Sequence, residues 1–166
     1  MEFNVWVIFV AALIPLITGA VWYNPKVFGT AWLKSSGLTE EQAASGNMAV
    51  IFGLSYVFGI FLAAMLVPIV VHQFAITSMM IDEVDFNVVG SESHTYFTEI
   101  MERLGDRNRA FSHGSFHGSF AGLLLALPII GTISLFERRG FKYTAIHTGY
   151  WILTMSLMGG VISHWS

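Results

Sequence analysis

Residues 113–136 read HGSFHGSFAGLLLALPIIGTISLF, without one acid, lysine or arginine. A helix needs about 20 apolar residues to cross the hydrocarbon core of a bilayer. The uncharged run extends back to Ala110, and two others flank it, Asn47 to Ile81 and Tyr143 to the last residue. Residues 5–23, VWVIFVAALIPLITGAVWY, form a fourth apolar stretch. Only 11% of the chain is charged, against roughly 25% in an average soluble domain. A soluble protein of this size has no interior large enough for so many helices apolar on all sides. The expected fold is all-α: a polytopic integral membrane protein, a single membrane domain over 1–166, built as a four-transmembrane-helix bundle. The spans fall at about 5–23, 47–72, 114–136 and 143–165. An outer connection, 73–112, lies between the second and third.

Charge places the ends. Loops 24–46 and 137–142 share one face and hold Lys26, Lys34, Arg138, Arg139 and Lys142. The other face has Glu2 at the N-terminus, and a connection whose Arg103, Arg107 and Arg109 stand among seven acids. Basic residues beside spans favour the cytoplasm, so both termini are expected outside a bacterial inner membrane, on the periplasmic side. Trp22, Tyr23, Trp32 and Tyr143 mark one interface, Trp6 and Trp165 the other. Glu2, where a signal peptide would carry positive charge, argues against a cleaved leader. Pro15, Pro68 and Pro128 fall inside spans and predict kinks rather than breaks.

The connections carry local signals. Asn24-Pro25 is an N-cap followed by proline at the first helical position, so PKVFGTAWLK reads as a short interfacial helix. Thr39 and Gln42 match a capping box, and Asn47 caps the second span. In the outer connection, Phe97, Ile100, Met101 and Leu104 recur at helical spacing before Gly105. They predict an extra-membrane amphipathic helix over 92–104. QFAITSMM is apolar enough to prolong the second helix, and DEVDFNVVGSES reads as loop.

The repeat in HGSFHGSF supports two readings. Gly114, Gly118, Gly122 and Ala126 recur every four residues, a stripe of small side chains on one helix face. Ser55, Gly59 and Ala63 form a shorter one. Such stripes let helix backbones approach in lipid, either inside one bundle or between chains. The histidines form the other pattern. His113 and His117 share a face at the outer end of the third span, where His72 ends the second and His164 nearly ends the fourth. Imidazoles from several helix ends are ligands for a metal ion or a haem, and Glu99, Glu102 and Asp106 would add oxygens. The i, i+4 histidine pair lacks the glutamate of H-E-x-x-H. His147, Thr144 and Thr148, near the inner face, are set to bond the third helix or line a path.

Other functions are disfavoured. The chain has no cysteine, so disulfides and thiolate sites are excluded, and its net charge of −3 argues against nucleic acid. No hydrolase elbow or phosphate-cradling loop occurs. No ionisable acid, lysine or arginine sits mid-span, which counts against a pump.

GAVWYNPKVFGTAWLKSSGLTEE and HGSFHGSFAGLLLALPIIGTISLFERRGFKYTAIHTGYWILTMSLMGG resemble the small four-helix bacterial membrane proteins of domain-of-unknown-function family 1761. The resemblance covers most of the chain (the first span, its loop, the second span and the last two spans) and implies a polytopic bacterial membrane protein, with no activity or cofactor attached. The leading expectation is therefore a non-catalytic inner-membrane packing or accessory subunit, in a homo-oligomer or beside a larger membrane complex, with membrane lipid around it and no cofactor. The alternative is a membrane-embedded metal or haem site on His113 and His117, and a third reading is a small-solute channel or transporter.

Overall fold

Prolines set where the helices of this chain bend, and the computed structural model, which describes residues 3–166, shows each case. Glu2 lies outside the described residues. Among them the structure is all-helical with no strand: α1 (Trp6–Ala11), α2 (Ile14–Trp22), a π-helical turn (Pro25–Gly29), α3 (Thr30–Ser36), α4 (Glu40–Ala44), α5 (Met48–Val70), α6 (Gln73–Met80), α7 (Glu92–Leu104), α8 (Phe111–Ala121), a second π-helical turn (Gly122–Ala126), α9 (Leu127–Phe136) and α10 (Phe141–Trp165).

Three helical stretches are long and apolar enough to cross a membrane: Met48–Val70, Phe111–Phe136 and Phe141–Trp165. The expected first span is not one straight helix. It breaks at Ala12–Leu13, where the backbone turns to tighter bonds from Leu13 N to Val10 O (3.1 Å) and from Leu16 N to Leu13 O (3.1 Å). Pro15 is the cause: it has no N–H to offer Ala11 O, and its ring crowds that carbonyl. Trp6–Trp22 qualifies as a crossing only together with Pro25–Ser36, bent from it by 54°. At Pro128 the strain is absorbed differently. The helix stays continuous and widens into the π-helical turn just before the ring. Pro68 is carried inside α5, but the helix ends soon after it, at Val71 (φ −112°, ψ 89°). QFAITSMM is thus a separate helix, α6, and not a continuation of α5.

The caps follow the local code. Asn24 accepts from Lys26 N, Thr39 and Gln42 complete their capping box, Asn47 accepts from Val50 N, and Ser91 accepts from His94 N. The interfacial segment opens with the wide turn, in which Gly29 N reaches back to Asn24 O (2.9 Å). A Cβ on Gly29 would collide with Tyr23 O. Helix α7 spans 92–104 as its periodicity predicts. Its half-buried apolar face rests on α6 and on Phe86, whose ring meets Phe97 edge-on at 5.1 Å. Gly105 follows it in right-handed conformation (φ −57°), and the left-handed residue of the turn is Asn108 (φ 63°).

Helix α10 is the hub. Half of its span is buried, against 22% for α5 and 17% for α8–α9, so the other two turn most of their surface outward. Phe52, Phe58, Phe61 and Met65 of α5 are all exposed, an apolar surface suited to acyl chains rather than water. The core lies where α1, α5, α8 and α10 meet: Ala11, Ala63, Leu66, Val70, Met158 and Ile162. Polar groups stitch α2 to α10. Thr18 and Thr154 share a hydrogen bond (2.8 Å), Tyr150 Oη donates to Pro15 O (2.8 Å), and Trp22 Nε1 donates to Ile146 O (3.1 Å). His147 bonds Tyr23 (2.9 Å), not the third span, because its side of α10 faces the end of α2. Thr144 and Thr148 are buried.

The small-residue stripe faces α10. A Cβ on Gly114 would overlap Gly159 O, one on Gly118 would overlap Met155 O, and one on Gly122 would lie 2.7 Å from Ile152 Cα. Ala126 is buried. In α5, Gly59 lies against Ala12 and Ala63 is buried, while Ser55 is half-buried. Gly118→Val should lower the thermal unfolding temperature in mild detergent, since overpacking costs about 1–3 kcal/mol. Gly53→Ala, at a helical site with nothing within 4 Å of the added Cβ, should leave the unfolding temperature unchanged or raise it.

Candidate metal centre

Three histidines converge where α5 ends. The break at Val71 turns His72 out of the α5 register. Helix α8 presents His113 and His117 one turn apart on the face beside its glycine stripe. His113 Nε2 and His72 Nε2 are 2.9 Å apart, close enough to share a proton. The ring centroids of the three pairs are 4.5–5.0 Å apart. One nitrogen from each ring can be chosen so that all three lie within 4.8 Å of one another. All three residues are half-buried.

This geometry suits a bare ion. Tetrahedral zinc with Zn–N near 2.0–2.1 Å holds its nitrogens about 3.3 Å apart, inside the range these rings span. Small rotations about the side-chain bonds, and loss of the proton between His72 and His113, would complete three bonds. A haem fits poorly. A macrocycle coordinated on both faces would hold two imidazoles on opposite sides of its plane, well beyond the 4.5–5.0 Å separations here.

The structure brings together three of the four histidines expected at the site. His164 is exposed and stacks edge-on with Trp165 at 4.6 Å, outside the group. It is the last residue but one of α10, and neither ring nitrogen comes within reach of the three converging imidazoles. No carboxylate joins the group among the described residues. Glu99, Glu102 and Asp106 are exposed on or beside α7, whose apolar face, not its acidic one, meets the protein.

The segments that follow α5 and α7 pack beside the triad. Gln73, next to His72 and 3% exposed, donates from Nε2 to Leu104 O and to Arg107 O, both at 2.8 Å. Those bonds satisfy carbonyls left open at the end of α7. Gln73 Oε1 is buried with no partner. Arg109 Nε donates to Ser163 O (3.1 Å), and its Nη2 bonds Ser166. Cations favour the C-terminal end of a helix, so Arg109 pins residues 105–110 over the end of α10. Between these parts lies a cavity of about 240 Å³ lined by His72, Gln73, Ile76, Leu104, Arg107 and Asn108. It opens a path from the outer connection to one ligand of the triad. Gln73 escaped the sequence reading because a glutamine's burial leaves no periodic trace. Pro68 was the one signal that the chain would turn near His72.

No curated protein and no solved structure matches the chain. Residues 6–163 match the model of a family described as a protein of unknown function (DUF1761). With that match covering nearly its whole length, the chain belongs to the DUF1761 family.

Proposed function

We propose that this chain is a four-span membrane protein that holds one transition-metal ion at His72, His113 and His117. The observation that supports this reading is the convergence of three imidazoles, from two separate helical segments, on one point. Three neutral nitrogen donors without thiolate or carboxylate suit Zn²⁺, Cu²⁺, Ni²⁺ or Co²⁺. The group contains no carboxylate base and no nucleophile, so the proposal is binding and not turnover. The accessory-subunit reading, in a homo-oligomer or a larger complex, drew chiefly on the small-residue stripe. That stripe is engaged with α10 of the same chain, which leaves the metal reading better supported.

The membrane placement is part of the proposal. Arg139 Nη1 donates to Ser36 O (2.5 Å), which ties loop 137–142 to the segment after α2. Asn4 Nδ2 donates to Trp165 O (3.2 Å), which ties the N-terminal end of α1 to the end of α10. These contacts support a fourth crossing by α1 and α2, an inner face carrying the basic loops, and a triad near the outer face of a bacterial inner membrane.

Purified in mild detergent from metal-free buffer, the protein should take up one Zn²⁺ or Cu²⁺ per chain, read by elemental analysis and calorimetric titration. Alanine at His72, His113 or His117 should weaken binding at least tenfold, about 1.4 kcal/mol, and His164→Ala should not. Affinity should fall in acid, because an imidazole nitrogen binds a metal ion only when it is deprotonated. Absence of stoichiometric metal, or equal loss in His164→Ala, would overturn the assignment. The lack of native cysteine permits a topology test. A single cysteine at Gly140 should react with an impermeant maleimide only from the cytoplasmic side, and one at Gly90 only from the other. Labelling of both from one side would refute four crossings.

A further inference from the structure

A large cavity lies at the opposite end of the bundle from the triad. It measures about 760 Å³ and lies between α2, α5 and α10, within the range of about 300–1,000 Å³ typical of small-molecule sites. Trp32 of α3 lies at one end, its ring edge-on to Tyr23 at 5.5 Å. The sharp bend after α2 therefore folds an aromatic residue back over the cavity mouth. Phe52 and Phe58, exposed by 55% and 62%, line the α5 side and leave an entrance from the surrounding hydrocarbon.

The walls are apolar, and the polar groups are few. Tyr23 Oη and His147 Nδ1 are 2.9 Å apart and share one proton. Tyr150 Oη donates its proton to Pro15 O, and the Thr18 and Thr154 hydroxyls lie beside its oxygen. His147 Nε2 is buried without a partner in the chain. No acid, lysine or arginine lines the cavity. An ionic headgroup would find no counter-charge there. A plain acyl chain would fill the walls but leave His147 Nε2 without a partner, which is costly in a hydrocarbon setting. A hydroxyl fits: it can donate to the Tyr23 oxygen and, once a small rotation of the buried imidazole exposes His147 Nε2, accept from its N–H.

We infer that this cavity is a binding site for a neutral lipid-soluble alcohol or phenol, entering between α2 and α5 with its hydroxyl at Tyr23, His147 and Tyr150. The site is separate from the histidine triad and does not depend on the metal reading.

The test uses bromine quenching of tryptophan fluorescence in detergent-solubilised protein, since Trp32 and Trp151 both line the cavity. Dibrominated oleyl alcohol should quench saturably, with an apparent affinity at least tenfold tighter than its methyl ether, which cannot donate. Dibrominated phosphatidylcholine should quench only in proportion to its amount. The double variant Trp32→Phe/Trp151→Phe should lose the saturable component. Tyr23→Phe and His147→Phe should reduce the preference for alcohol over ether at least fivefold. The comparison of alcohol with ether needs no variant, so it stands even where a substitution prevents folding. Equal, unsaturable quenching by alcohol, ether and phosphatidylcholine would mean surrounding lipid only and would overturn the proposal. So would a tenfold preference that survives both Tyr23→Phe and His147→Phe in folded protein.

Discussion

The close approach of α8 and α10 is the constraint on which the rest of the structure depends. Gly114, Gly118 and Gly122 on one helix meet the backbone at Met155, Ile152 and Gly159 on the other, with no room for a Cβ. Water drives little association inside a membrane, so contact between backbones and packed small side chains must hold the helices together. A seam this tight also fixes rotation. With its glycines turned to α10, α8 has one orientation left, and its neighbouring stripe, His113 and His117, faces the end of α5. Gly160 continues the seam, because a Cβ there would press on Phe111 and Ser115. The histidine cluster thus follows from a packing decision made by glycines.

Proline supplies the second half of the geometry. In lipid a broken helix exposes carbonyls that water cannot reach, so each break must be repaired nearby. The break at Ala12–Leu13 sits beside the Thr18, Thr154 and Tyr150 hydrogen bonds that tie α2 to α10. Near Pro128 a wider turn takes up the strain. At the end of α5 the chain leaves helical geometry altogether, and the turn it makes carries His72 to α8. Without that break His72 would continue the α5 register, and α6 would extend it instead of folding under α7.

Much of this was legible in the sequence, and the limits have physical reasons. Uncharged runs marked the three long spans, since charge is costly in hydrocarbon wherever it falls. Caps at Asn24, Thr39 and Asn47 and the helix at 92–104 obey rules that act within a few residues. The i, i+4 histidine pair was visible for the same reason. Rules of that range do not reach between helices. They grouped His164 with the triad because it lies at the right depth, although its direction depends on how α10 is rotated. Tyr23 and His147 stand 124 positions apart, and Gln73 and Leu104 stand 31 apart. No local pattern announces either pair. Pro15 predicts a kink, and the helix does turn at Ala12–Leu13, with both residues still in right-handed helical conformation.

The surroundings of the triad bear on the kind of site it makes. Ligating histidines in tight structural centres donate their second ring nitrogen to a carboxylate or a carbonyl, which fixes the ring and makes the ligand more basic; losing that partner costs about 10–100-fold in affinity. Among the described residues, the hydrogen bond found for these imidazoles joins His72 to His113. The acids nearest in sequence, Asp82 and Asp106, are exposed. The imidazoles are instead held by one another, through that bond and through ring contacts at 4.5–5.0 Å. An ion bound here would meet three protein donors and have one tetrahedral position to spare, beside the cavity that borders His72. The same glycines that leave no room for a methyl group between α8 and α10 therefore also set the rotation of α8 that brings His113 and His117 to His72.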